Sequence, residues 1–197
     1  MLDGFRVPQC IYAACTFRLP DNVPDEGIDT AALAEATGTD PGAVRRLLRA
    51  LASVGIFQRE GVDRWRHTEA SMALREGDPG GLRDRAIGLG TLAWSSWGQL
   101  THALKTGAPA FDEVHGASFF EVLQQNPGWA AAFGRTMSSW TQQTAKDVVA
   151  AFDFSGTRHL VDIGGGHGIM LDAILAAHPE LRATLVDRPE VIDAGAP

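Results

Sequence analysis

Five residues near the end of the chain, Gly164-Gly165-Gly166-His167-Gly168, constrain its fold more than any others. The residues before them, 159–163, read HLVDI, a short run with β-branched members that fits a strand. The residues after them, 169–178, read IMLDAILAAH and fit an apolar helix; past Pro179 a second strand, ATLV at 183–186, ends on Asp187. Strand, helix and strand in this order form a βαβ unit, with parallel strands and the first turn at their carboxyl ends. Glycine lets a ligand approach the backbone in such a turn, because it has no Cβ and takes φ > 0 without strain.

Spacing narrows the ligand. A dinucleotide-binding turn needs G-x-G-x-x-G, but counting from Gly164 reaches Gly166 and then Ile169, so the third glycine is missing. The turn is instead Asp162-x-Gly164-x-Gly166-x-Gly168, which resembles the first motif of S-adenosylmethionine methyltransferases. That cofactor carries a ribose and an amino-acid end but no pyrophosphate, so bare backbone beside a sugar edge suits it. Asp187 lies 21 residues past Gly166 at the end of the second strand, where a carboxylate can accept both ribose hydroxyls. Asp162 can receive the methionine ammonium, or it can pair with the N–H groups of its own turn. His167 reads as a loop spectator rather than a base.

Upstream, the chain reads as almost wholly helical. The first 20 residues fit an apolar helix ending near Leu19-Pro20, since proline cannot continue a helix. Apolar over much of its circumference, that helix needs a partner, either the core or, as we prefer, a second subunit. Three elements follow: a helix at 30–38, a helix at 40–55 with Asp40 as N-cap, Pro41 at its first position and Gly55 closing it, and a hairpin turning at Gly61-Val62-Asp63. Together they predict a winged-helix module. Residues 70–150 read as helices separated at Gly77-Asp78-Pro79-Gly80, Gly107-Ala108-Pro109 and Asn126-Pro127-Gly128. Trp94, Trp97, Trp129 and Trp140 fall there, expected either as core filling a hinge between domains or, with Phe119, Phe120, Phe133 and Met137, as an apolar wall for a flat substrate.

Composition removes several classes. The net charge is −7, and residues 111–197 hold 5 basic against 11 acidic side chains, an excess that repels a phosphate backbone. Winged helices often read DNA, and Arg45, Arg46 and Arg49 share the second helix, but residues 30–66 carry only six basic side chains against four acidic. A solvated helix face on a pairing module fits that balance better than DNA reading. No stretch approaches the roughly 18–20 apolar residues of a membrane span, and the start lacks a signal-peptide pattern, so the expected location is the cytoplasm. Cys10 and Cys15 match neither a redox nor a zinc spacing, and the six histidines form no ligand repeat, so no metal is expected.

The ordered series RRLLRALASVGIF, SW..L, TGAPAF, FF..L, AF...M, LVDIGGGHG and HPELRATLVDRPEVI resembles the O-methyltransferase family of plant caffeate and flavonoid enzymes and bacterial polyketide-tailoring enzymes. The resemblance covers essentially every residue. It implies an S-adenosylmethionine-dependent enzyme that forms a homodimer through its amino-terminal helices and methylates a hydroxylated aromatic or polyketide small molecule. It also places Met137 against the acceptor ring, with Phe133 one helical turn before it. Cofactor contacts fall on Asp162, Gly164, Gly166, Gly168 and Asp187. One departure is Arg188, where plant relatives usually carry leucine.

The expected fold is therefore mainly α: a winged-helix dimerisation domain at 1–84, a helical linker and substrate wall at 85–155, and from 156 to 197 the first βαβ unit of a truncated Rossmann-like methyltransferase domain. Two parallel strands and one helix leave unpaired edges and an uncovered face. The family's catalytic histidine lies beyond the ribose carboxylate, and no residue after Asp187 can play it, so the chain by itself is expected to be inactive, with no catalytic residue of its own. Three expectations follow from this: a fragment, a fold completed by a separate carboxy-terminal chain, or a protein kept for dimerisation alone. Two other functions share these residues: a methyltransferase-like protein recruited to hydroxylation or decarboxylation, and a winged-helix regulator that senses a small aromatic ligand.

Overall fold

Left-handed residues and prolines decide where the helices of this chain start and stop. The structure, a computed structural model, describes residues 2–195. It divides into two compact units, Met1–Ala130 and Ala131–Pro197.

The first unit opens with a 3-10 turn, Leu2–Phe5, and helix α1, Arg6–Thr16. The helix stops short of the expected Leu19-Pro20. Arg18 adopts φ 56°, and the Leu19 N–H donates back to the Ala14 carbonyl at 2.9 Å, so the last carbonyls are satisfied before the proline is reached. A non-glycine residue in this conformation costs about 1 kcal/mol. Burial of Leu19 and the pairing of Arg18 with Glu76 hold it there.

Strand β1, Ile28–Asp29, leads into α2, Thr30–Thr37, and α3, Pro41–Ala52. Asp40 caps α3 by accepting from the Ala43 N–H at 2.7 Å, and Gly55, at φ 80°, closes it while the Ile56 N–H donates to the Leu51 carbonyl at 2.9 Å. Strands β2, Gln58–Glu60, and β3, Arg64–Arg66, form the expected hairpin around Gly61. The sheet is antiparallel in the order β1-β3-β2, and β1 is an addition that a two-residue segment could not announce by periodicity. Val44, Leu48 and Leu51 present one stripe of α3 to a core containing Leu19, Val23, Leu33, Phe57 and Trp65.

That core contains one polar network. Trp65 Nε1 donates to Thr30 Oγ1 at 2.8 Å, Thr30 donates to Asp63 Oδ1 at 2.6 Å, and Arg45 holds the same carboxylate through two donors at 2.9 and 2.7 Å. The hairpin turn is thereby bolted to α2 and α3. His67 lies beneath it, its ring stacked on Phe57 and its nitrogens 2.9 Å from Ser71 Oγ and the Val23 carbonyl.

The rest of the unit is helical: α4, Glu69–Met72; α5, Leu82–Gly88; a π-helical stretch, Leu89–Ala93; α6, Trp94–Gly98; α7, Leu100–Thr106; α8, Ala110–His115; and α9, Phe119–Gln125. The Asn126-Pro127-Gly128 signal separates two helices as expected, with the break confined to Asn126: α10 runs Pro127–Ala151, with proline at its first position, where a missing N–H costs nothing. The expectation of buried tryptophans is corrected. Trp94, Trp97, Trp129 and Trp140 are all at least 39% exposed, and Trp65 is the one fully buried. Trp94 and Trp97 lie on the five-residue α6 and Trp129 and Trp140 on the long α10, and on both helices the indoles face outward rather than onto a core stripe.

In the second unit α10 is followed by β4, His159–Ile163, α11, Ile169–Ala177, β5, Arg182–Val186, and α12, Pro189–Gly195. The strands pair in parallel, His159 opposite Arg182 through Ile163 opposite Val186. One face, through Leu160, packs on Phe154, Ile174, Leu181, Val148 and Val149; the other shows Val161 and Ile163, the latter 81% exposed. Among the described residues no helix is long and apolar enough to cross a membrane.

Two outcomes follow from the first unit. Thr30→Val strands the buried Trp65 N–H, which should lower unfolding stability by about 1–3 kcal/mol in urea denaturation at fixed protein concentration, with Thr30→Ser recovering most of it. Burial holds the His67 imidazole below its ordinary value, so the unfolded chain takes up that proton at a higher pH than the folded one. The stabilisation is whole above the unfolded value of about pH 6.5 and is lost as pH falls from there through the lower folded-state value. A His67→Gln variant should flatten that limb of the stability–pH curve.

Candidate functional site

The carboxyl ends of β4 and β5 bring the glycine turn and both candidate carboxylates to one place. Asp162 faces Leu185 in the ladder, and one residue further on the Gly164 N–H donates to the Val186 carbonyl at 2.7 Å. Gly164, Gly166 and Gly168 all take left-handed φ, at 78°, 59° and 77°, so all three predicted positions need glycine for conformational reasons. Gly168 is also the residue from which α11 springs.

Gly165 is different, and sequence spacing did not single it out. Its φ is ordinary, but a Cβ placed on it would lie 2.5 Å from both Asp162 Oδ2 and Leu185 Cδ1. A methyl group there would have to displace the side chains of both residues. The unbroken run of three glycines is the signal that could have found it.

The two carboxylates behave differently. Asp162 is half-buried, and its carboxylate makes no hydrogen bond or ion pair among the described residues, so pairing with its own turn is not what that carboxylate does. Asp187 does that instead. Its Oδ2 accepts from the Gly166 N–H at 2.8 Å and its Oδ1 from the Arg188 N–H at 2.7 Å, fixing the carboxylate at the mouth of the turn. Each oxygen keeps a further lone pair. A ligand with a cationic amine for Asp162, two vicinal hydroxyls for Asp187 and a sugar edge for the bare turn suits this donor and acceptor set, as S-adenosylmethionine does.

Phe133 and Met137 lie one turn apart on α10, both half-buried, and neither is on the glycine turn. What reaches α10 from the turn is His167. Its Nδ1 lies 3.2 Å from Ser138 Oγ, and a Cβ on Gly134 would come within 3.1 Å of its Cε1. The reading of His167 as a spectator is corrected: the left-handed glycines on either side aim the imidazole at the helix.

The other candidate surface, the arginines of α3, is partly committed. Arg45 is bound to Asp63, which it holds below the usual carboxylate range, with Thr30 adding to the effect. One of the three arginines on which a DNA reading would have to rest is thus tied to the hairpin.

The fold and the turn place the second unit among α/β units that take a ligand at the carboxyl ends of parallel strands. Known families agree: residues 97–197 match the O-methyltransferase domain and residues 1–76 the O-methyltransferase dimerisation domain. This chain belongs to the O-methyltransferase family. It is similar to the mitomycin biosynthesis 6-O-methyltransferase of Streptomyces lavendulae, 37% identical over 98% of this chain and 56% of that protein. Among solved structures, the mitomycin 7-O-methyltransferase MmcR superposes with a TM-score of 0.89 at 37% identity, covering 98% of this chain and 58% of that one. The neocarzinostatin-biosynthesis O-methyltransferase NcsB1, solved with S-adenosylmethionine and 2-hydroxy-5-methyl naphthoic acid, gives 0.78 at 33%, covering 95% and 58%. The chain spans about half the length of the curated relatives it matches.

Gly165→Ala should push the Asp162 carboxylate and the Leu185 side chain aside at the ends of β4 and β5. Overpacking of this kind costs about 1–3 kcal/mol, and faster amide exchange in β4 and β5 than in the wild type would show where the strain goes.

Proposed function

We propose that this chain carries the pairing module and the cofactor turn of an S-adenosylmethionine-dependent O-methyltransferase acting on a hydroxylated aromatic or polyketide small molecule. The observation that carries the reading is the pair of carboxylates at one turn, that of Asp162 without a partner among the described residues and that of Asp187 fixed by the Gly166 N–H. Asp162 receives the amino-acid end, Asp187 accepts the ribose hydroxyls, and Gly164, Gly166 and Gly168 leave the backbone bare for the sugar. When bound, the cofactor supplies a methyl group activated by its sulfonium. Phe133 and Met137 would form part of the apolar wall that holds and orients the acceptor ring, so that its hydroxyl would be the group to receive that methyl. The acceptor's hydroxyl proton would pass to a base that we assign to no residue of this chain. Holding two reactants in such a geometry can lower a barrier by roughly 7–11 kcal/mol, so positioning is the main task of these residues.

The domain plan is a winged-helix dimerisation domain at 1–84, a linker and substrate wall at 85–155, and the start of a Rossmann-like domain from 156. The match of residues 1–76 to a dimerisation domain supports a homodimer through the amino-terminal helices. The Arg45–Asp63 pair favours this role over DNA reading, since a bidentate partner would have to be surrendered to a phosphate.

Titration calorimetry of S-adenosylhomocysteine into the chain tests the reading directly. Asp187→Ala should weaken binding by about 1.5–3 kcal/mol, the range for a charged hydrogen bond. Asp187→Asn keeps an acceptor for the Gly166 N–H and should lose less. Unchanged affinity in both variants rejects the ribose assignment.

A further inference from the structure

The contact between His167 and α10 has no counterpart in the cofactor assignments. The turn is built from residues that resist ordering: three left-handed glycines and a fourth with no side chain gain little packing of their own. His167 is the only side chain beyond Cα in that run of five, and it is half-buried rather than solvated. It reaches α10 at Gly134 and Ser138, four residues apart and therefore on one face of the helix. Gly134 supplies the notch: a Cβ there would stand 3.1 Å from Cε1 and 3.5 Å from Nε2, so any larger residue pushes the ring away. Ser138 supplies the polar anchor, its hydroxyl 3.2 Å from Nδ1 and able to donate to it when the ring carries its proton on Nε2. Phe133 and Met137 each precede one of these two contacts by a single residue.

We propose that His167 is a positioning residue which registers the glycine turn against α10, so that filling the turn orders the helix segment bearing Phe133 and Met137. The inference rests on the turn being the S-adenosylmethionine site. In physical terms the turn and the helix segment share one ordering cost. A ligand that fixes Gly166 and Gly168 also fixes the imidazole between them, and the imidazole fixes Gly134 and Ser138. The acceptor wall is then better formed with cofactor bound than without it, a coupling that works equally in the reverse direction.

Hydrogen exchange on the whole chain, with and without saturating S-adenosylhomocysteine, reads this coupling. In the wild type, binding should slow the amides of residues 133–141 by roughly 5–10-fold, the lower part of the range for coupled sites. His167→Ala should still bind S-adenosylhomocysteine, with affinity reduced severalfold, but lose the slowing on α10. His167→Asn, which keeps a polar atom near the position of Nδ1, should restore it, and a merely structural role predicts no such rescue. Should His167→Ala fail to fold, Gly134→Ala decides: it displaces the ring without touching the turn and should abolish the slowing. The double variant Gly134→Ala/His167→Asn lacks Cε1 and should regain it. Binding without slowing of α10 in the wild type, or slowing that survives both His167→Ala and Gly134→Ala, overturns the inference and leaves the cofactor site standing. Absence of S-adenosylhomocysteine binding to the wild type overturns both.

Discussion

The hydrogen bond from the Gly166 N–H to Asp187 is the constraint on which the second unit's arrangement depends. It joins the turn after β4 to the residue after β5, closing the end of the two-stranded sheet where parallel ladder bonds run out. A charged acceptor roughly doubles the strength of such a bond, which matters in a turn with almost no side chains to hold it. The same bond fixes the carboxylate's direction. Asp187 is therefore at once the clasp of the turn and a preset acceptor beside it, and the two roles are compatible because a carboxylate offers about four lone-pair directions.

The first unit solves a comparable problem with the opposite means. Its hairpin of three-residue strands is too short to be stable by pairing alone, so Asp63 at the turn is tied through Thr30 to the buried Trp65 and through Arg45 to α3. A buried polar network is safe only when every member is satisfied, and here each donor finds its acceptor. The consequence for function is that an arginine which looks like a phosphate contact in the sequence is part of the scaffold.

Several features were legible in the residues themselves. Asp40, Pro41 and Gly55 delimit α3 because capping is local chemistry, decided within one turn of backbone. The hairpin at Gly61 and the βαβ order of the second unit are likewise local or nearly so. The misreadings share one cause, which is that the deciding partner is distant in sequence. The early end of α1 depends on Arg18 meeting Glu76, 58 residues away, and the outward tryptophans depend on which surfaces their helices meet.

The amino-acid sequence by itself determined the family, the class of cofactor and the glycines of the turn, since left-handed backbone and the spacing of carboxylates are written residue by residue. Only the tertiary structure decided what each carboxylate does. Asp162 and Asp187 are both strand-end acids in the sequence, but folding gives the carboxylate of Asp187 the turn's N–H and leaves that of Asp162 without a partner among the described residues. The same holds for Gly165, required by the side chains of Asp162 and Leu185 rather than by its own φ, and for His167, whose role appears once Gly134 and Ser138 are brought beside it. Local conformation is encoded in the residue; a contact needs two residues that only the fold brings together.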